Sequence, residues 1–106
     1  MADASRIFHG TLVATVVQTV TFDRNFDAVE ILNRNGAAEI FVKAGTVAQP
    51  PSDPAVDQAD TEILPATIGS VEIPTPQAGD TVIKLISAGI PTFSVRGLIG
   101  PSEPTD

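Results

Sequence analysis

The stretch ILNRNGAAEIFVKAG, residues 31–45, consists of two apolar runs on either side of a short polar segment. Ile31 continues an alternation with Val29 against Glu30, and in the second run Ile40 and Val42 lie opposite Glu39, Phe41 and Lys43. This period of two residues is typical of β-strands. Asn35 and Gly36, in the middle, tolerate the positive φ angles that tight turns require. We therefore predict that the two runs form a β-hairpin around this turn.

Similar alternation extends over most of the remaining chain. Residues 11–22 predict one long strand or two short ones, and residues 80–87 (DTVIKLIS) predict an apolar strand suited to the centre of a sheet. Further strands are predicted at residues 62–64, 68–73 and 90–98, and turn residues separate them. The sequence therefore predicts an all-β fold, with six to eight short strands in a single antiparallel β-sandwich or barrel-like domain.

The chain of 106 residues has the size of one domain. We predict a flexible N-terminal arm over residues 1–9, the β-domain over residues 10–98, and a flexible C-terminal tail over residues 99–106. Between Gly45 and Asp60 the alternation stops and three prolines appear, which predicts a long exposed loop. This loop is either a solvated connector or a surface arm that becomes ordered against a neighbouring molecule.

The balance of charges excludes several classes of partner. Thirteen acidic residues against six basic ones give a formal charge of -7, which repels nucleic acid and anionic membrane surfaces. No apolar run approaches the roughly 20 residues of a membrane helix, and the N-terminus lacks the apolar core of a signal peptide. We expect a soluble protein made in the cytoplasm, without disulfides or cysteine-bound zinc because it contains no cysteine.

Catalytic residues are difficult to assemble from this sequence. His9 is the only histidine, and no motif places a nucleophile or an orienting acid beside it, so we interpret it as a partly exposed residue that leads the first strand. No glycine-rich phosphate motif follows any predicted strand. We therefore expect no enzyme, no cofactor and no small-molecule substrate.

The acidic residues do not form a recognisable site either. Four of them in the middle of the chain lack the spacing of a calcium-binding loop and predict a solvated negative face: Asp53, Asp57, Asp60 and Glu62. Four others could in principle supply the carboxylate pair of a glycosidase, but they lie in turns or at solvent-facing strand positions: Asp23, Asp27, Glu30 and Glu39. We expect no metal site.

Aromatic residues are few, since the chain has five phenylalanines and neither tryptophan nor tyrosine. Most of the phenylalanines occupy strand positions typical of core packing. Phe41 differs, because its parity places it on the same strand face as Glu39 and Lys43. It is either exposed in a protein contact or buried within the molecule.

Three segments carry a resemblance to a known group of proteins. They are VTFDRNFDAVEILNRNGAAEIFVKAGT (residues 20–46), ILPATIGSVEIP (63–74) and TVIKLISAGIPTFSVRGL (81–98). Over about residues 9–98 the chain resembles small virion proteins of tailed phages that infect actinobacteria. The resemblance implies a β-sandwich present in many copies on the particle, assembled there after synthesis in the host cytoplasm.

Within that group, we expect a capsid decoration, or cement, protein that binds the lattice of the major capsid protein and copies of itself, with a trimer as one arrangement. A minor tail or tail-tip protein is the alternative of the same class. A host-surface or carbohydrate-binding module is an alternative of another class, and an enzyme is the third. The residues that we expect to contact partners are Arg6, Ile7, Phe8, Phe41, Pro50, Pro51 and Asp53.

Overall fold

A computed structural model describes the backbone of residues 3–56, 61–77 and 79–99, and the side chains of these residues from Ile7 to Leu98. The described residues contain eight strands and no helix. The strands are β1 (Asp3–Thr11), β2 (Gln18–Thr21), β3 (Ala28–Asn33), β4 (Ile40–Thr46), β5 (Glu62–Leu64), β6 (Gly69–Pro74), β7 (Thr81–Ile86) and β8 (Thr92–Ile99).

The strands form two four-stranded sheets, which we name sheet A, with the order β1-β8-β3-β6, and sheet B, with the order β2-β7-β4-β5. Every pairing between neighbours is antiparallel. Neither sheet closes on itself, so the prediction of an all-β antiparallel sandwich is confirmed and the barrel-like alternative is wrong. Four edges therefore stay open among the described strands, at β1, β6, β2 and β5.

The order of the strands follows a simple rule. Each strand in the first half of the chain pairs with its mirror position in the second half: β1 with β8, β2 with β7, β3 with β6 and β4 with β5. Two further ladders, β3 with β8 and β4 with β7, join these pairs into the sheets. This is the arrangement produced by rolling up one long antiparallel hairpin, and it defines the eight-stranded jelly roll.

The predicted hairpin at residues 31–45 is wrong, although its turn is present. Gly36 has a φ angle of 65°, and its N–H donates to Asn33 Oδ1 at 3.0 Å. The turn carries the chain from β3 in sheet A to β4 in sheet B. The two strands cannot pair, because β3 has β6 and β8 as its neighbours and β4 has β5 and β7.

The core lies between the two sheets and is built from alternate strand positions. The largest fully buried side chains of this core are the aromatic rings of Phe26 and Phe93. β7 runs between β2 and β4, so the prediction of a central position for this apolar strand is confirmed. The aliphatic residues of the core include Val29, Ile31, Ile40, Val42, Ile83, Leu85 and Val95.

The structure also changes the predicted domain boundaries. Residues 3–9, predicted as part of a flexible arm, belong to β1 and pair with β8 from Asp3 opposite Ile99 to Thr11 opposite Thr92, with an irregularity between Ala4 and Arg6. The partner strand of these residues lies at the far end of the sequence, so local patterns do not reveal the pairing. Ile99 likewise closes β8, and residues 100–106 of the predicted tail lie outside the described residues.

Candidate functional site

Strand β1 forms an open edge of sheet A. It pairs with β8 on one side, and no described strand pairs with it on the other. Its Ile7 and Phe8 side chains are 52% and 37% exposed, and His9 is exposed as well. Unpaired N–H and C=O groups along such an edge are a template for a strand from another chain. β1 is therefore a surface suited to protein contact.

Side chains of β1 alternate between two environments. Ile7 lies opposite Arg96 on the outer face of sheet A, whereas the ring of Phe8 lies 5.8 Å from that of Phe93, centroid to centroid. Phe8 therefore covers the margin of the core and exposes only part of its ring. The backbone of Arg6 pairs with that of Gly97. The side chain of Arg6 is not among those that the structure describes. Of the predicted contact residues, the structure places Ile7 most openly on this edge.

The outer face of sheet A carries a cavity of about 270 Å³ next to this edge. His9 Nδ1 and Ser94 Oγ lie 2.6 Å apart in a hydrogen bond whose donor depends on the imidazole tautomer. Arg96 pairs with Glu30 at 3.2 Å, and Ser70 Oγ donates to Glu30 Oε2 at 3.1 Å. The lining consists of Ile7, His9, Glu30, Leu32, Arg34, Ser70, Ser94 and Arg96.

The contact between His9 and Ser94 joins residues that are 85 positions apart, and sequence reasoning missed it. A histidine beside a serine is the first requirement of a serine nucleophile. Acyl transfer also needs N–H donors aimed at the oxyanion. β8 pairs with β1 on one side and β3 on the other, so its backbone N–H groups around Ser94 are directed into ladders. We interpret the pair as a polar contact between an exposed histidine and a buried serine.

The loop after β4 folds back over the outer face of sheet B. Lys43 Nζ donates to Ser52 Oγ at 2.8 Å, and Lys84 Nζ lies 2.8 Å from Asp53 Oδ1. Lys43 and Lys84 are register partners on this face, an arrangement of like charges that destabilises a sheet when nothing compensates it. The loop supplies that compensation with a hydroxyl and a carboxylate.

Gly45 allows this close approach. A Cβ atom at this position would lie 2.5 Å from Gln49 O and 2.7 Å from Pro51 Cδ. Pro51 is half-buried and Pro54 is buried, whereas Pro50 is exposed. Most side chains of residues 47–56 are exposed, as predicted. The loop is nevertheless anchored on its own sheet, at Gly45 and at the two lysines.

Two predicted contact residues, Phe41 in β4 and Asp53 in the loop after it, have partners or neighbours inside the molecule. Asp53 holds Lys84, although its carboxylate is 70% exposed. Phe41 lies in register between Ile63 and Ile86 and is 1% exposed, so the prediction that it contacts a partner is wrong. Parity placed Phe41 on the outer face, but that position in the sheet is covered.

The described residues contain neither a candidate metal-binding cluster nor a helix that could span a membrane. No group of three or more histidine, aspartate or glutamate side chains there could hold a metal ion. Asp57 and Asp60 of the predicted negative face lie outside the described residues. No helix of the length and apolarity needed to cross a bilayer occurs in the same part of the chain.

Comparison with protein-family models, with curated proteins and with solved structures finds no match to this chain.

Proposed function

We propose that this protein is a non-enzymatic structural component of a phage virion, and that it acts as a decoration protein on the lattice of the major capsid protein. The resemblance of three segments to virion proteins of actinobacteriophages supports the proposal. The jelly-roll strand order is compatible with it, since viral capsid domains use this architecture, as do lectins and cupins. Fold alone does not assign a function, so the proposal depends on the surface of the molecule.

The observation that carries the proposal is the open edge of β1 with its exposed Ile7. A partner strand added to such an edge gains main-chain hydrogen bonds, and alternate side chains provide specificity. Along β1, Ile7 and His9 would contact the partner on the outer face and Phe8 on the inner one. Each such contact is small, but a symmetric lattice repeats it many times and so retains the protein.

Rebinding to particles tests this proposal. Purified protein is added to particles assembled without it, and bound copies are counted by quantitative mass spectrometry and electron microscopy. We expect copies over the whole head, and we expect Ile7→Glu to weaken binding at least about tenfold because it places a charge in the contact. Ile63→Glu is the matched control, since Ile63 is 48% exposed on the edge strand of the other sheet.

The same experiment separates the alternatives. A few copies confined to the tail would support the minor tail protein instead. Equal binding by wild-type protein and the Ile7→Glu variant would contradict attachment through β1, and absence of any binding to particles would contradict the virion role.

One observation favours the alternative of a carbohydrate-binding module. The cavity on sheet A groups the polar side chains of His9, Arg34 and Ser94 beside apolar Leu32. A glycan array with the purified protein tests it, and a Ser94→Ala variant identifies the cavity as the site. Binding to a glycan that this variant loses would favour the module over the decoration protein.

A further inference from the structure

Four loops meet at one end of the sandwich, which we name the four-loop end. They are the connections β1–β2 (residues 12–17), β3–β4 (34–39), β5–β6 (65–68) and β7–β8 (87–91). Successive strands run in opposite directions, so every second connection lies at the same end of the sandwich. The remaining connections lie at the opposite end. Hydrogen bonds and close contacts join the four loops into one surface.

The contacts run in order across this surface. The N–H of Thr15 donates to the carbonyl of Ser87 at 2.8 Å, and Ser87 Oγ donates to the carbonyl of Glu39 at 2.5 Å. A Cβ atom on Gly36 would lie 3.0 Å from the backbone of Thr67, so the β3–β4 and β5–β6 loops also touch. The loops therefore form a continuous surface.

The four-loop end is unusually apolar. Among the described residues, eight large hydrophobic side chains are exposed, and half of them lie here: Val13 (60%), Val16 (54%), Ile68 (73%) and Ile90 (63%). Exposed apolar side chains that are grouped in one region of a small protein often mark an interaction site.

Its charge sets it apart from the rest of the molecule. The four loops contain only Arg34 and Glu39 as charged residues, so their formal charges cancel, whereas the whole chain carries -7. The described residues of the loops at the opposite end carry four acidic side chains against one basic side chain, Arg24; the four are Asp23, Asp27, Asp53 and Asp80. Two copies that meet through their four-loop ends therefore bring no net like charge into contact.

Backbone strain marks the same surface. Thr15 has a φ angle of 60°, a conformation that is a genuine outlier for a β-branched residue. It lies within the turn in which the N–H of Val16 donates to the carbonyl of Val13 at 3.1 Å. This turn presents both valines to solvent. Strain of this kind tends to concentrate at functional sites.

We propose that the four-loop end is the surface through which copies of this chain associate with one another. The surface presents exposed apolar side chains and no net formal charge, and a two-fold symmetric assembly would use this same surface on both copies. It leaves the edge of β1 open for a different partner. The inference does not rest on the virion role, because association of purified copies is measured without any particle.

Sedimentation equilibrium of the purified full chain, over a range of protein and salt concentrations, tests the inference. We expect reversible association that strengthens or stays unchanged as the salt concentration rises. Salt screens the repulsion between two chains that each carry a net formal charge of -7. The variants Ile68→Asp and Ile90→Asp should raise the apparent Kd at least about tenfold. Val47→Asp, at an exposed valine in the β4–β5 connection at the opposite end of the sandwich, should associate as the wild type does.

Three results would overturn the inference. The first is a wild-type chain that stays monomeric at every concentration, and the second is equal association of all variants. The third is loss of particle binding by Ile68→Asp and Ile90→Asp with unchanged self-association, which would make the four-loop end a capsid contact. Far-UV circular dichroism of each variant distinguishes a lost contact from a lost fold.

Discussion

Replacing Gly97 with valine is expected to lower the free energy of unfolding by about 3 kcal/mol or more, because the core has no room for a side chain there. A Cβ atom on Gly97 would lie 2.5 to 2.6 Å from three ring carbons of Phe26. The clash could be relieved only if this ring moved. Phe26 is fully buried, and its ring stacks edge-on against Phe22 with centroids 5.1 Å apart.

The backbone of Phe26 is fixed as well. Its N–H donates to Thr81 Oγ1 at 2.8 Å, and its carbonyl accepts from Thr75 Oγ1. Movement of the ring would therefore disturb the hydrogen bonds that join the β2–β3 connection to the β6–β7 connection and to the start of β7.

Gly69→Val is the matched control for this substitution. A Cβ atom on Gly69 would meet nothing within 4 Å, although Gly69 also lies in a strand of sheet A. Its stability should change by no more than about 0.5 kcal/mol. Urea unfolding followed by circular dichroism measures both variants, and equal losses in the two would contradict the packing of Phe26 on Gly97.

Replacing Asn33 with alanine is expected to lower the free energy of unfolding by about 2–3 kcal/mol, since it removes a side chain that bonds two loops at once. Asn33 is fully buried at the end of β3. Its Nδ2 donates to the carbonyls of Ala38 at 2.9 Å and Pro65 at 3.0 Å, and its Oδ1 accepts from the N–H of Gly36. Alanine would leave all three backbone groups without this partner.

Asn25→Ala controls for the loss of an asparagine as such. Asn25 Nδ2 also donates to two carbonyls, those of Pro76 at 2.8 Å and Gly79 at 2.7 Å, but the residue is only half-buried. Water can replace its bonds, so its loss should lower stability by about 1 kcal/mol. If thermal unfolding showed the two variants to be equally destabilised, Asn33 would not be the link between these loops.

Local sequence patterns predicted β3 to β8 well because period-two alternation reflects burial directly, but residues 12–17 of the strand region predicted at residues 11–22 form a loop. The pattern of β3 and the continuous apolar run of β7 gave their type and, for β7, its central position. Turn chemistry was less informative. Asn35 and Gly36 indicate that the chain reverses, but the same turn can join strands in one sheet or lead from one sheet to the other.

Long-range pairing explains what the sequence did not predict. β1 has its only described partner in β8, so residues 3–9 resemble an arm until that strand is placed beside them. The contact between His9 and Ser94 depends on the same register. Phe41 shows a further limit, because parity identifies the face of a strand and not whether that position is covered.

Attachment through the open edge of β1 is tested most directly by amide hydrogen exchange of the protein free and bound to particles. In the free protein, the β1 amides that point away from β8 should exchange rapidly. On the particle we expect them to be protected at least about tenfold, as amides in a newly formed ladder are. Amides of β5, an edge strand of sheet B, should be unchanged. Binding to particles with exchange along β1 unaltered would contradict this mode of attachment.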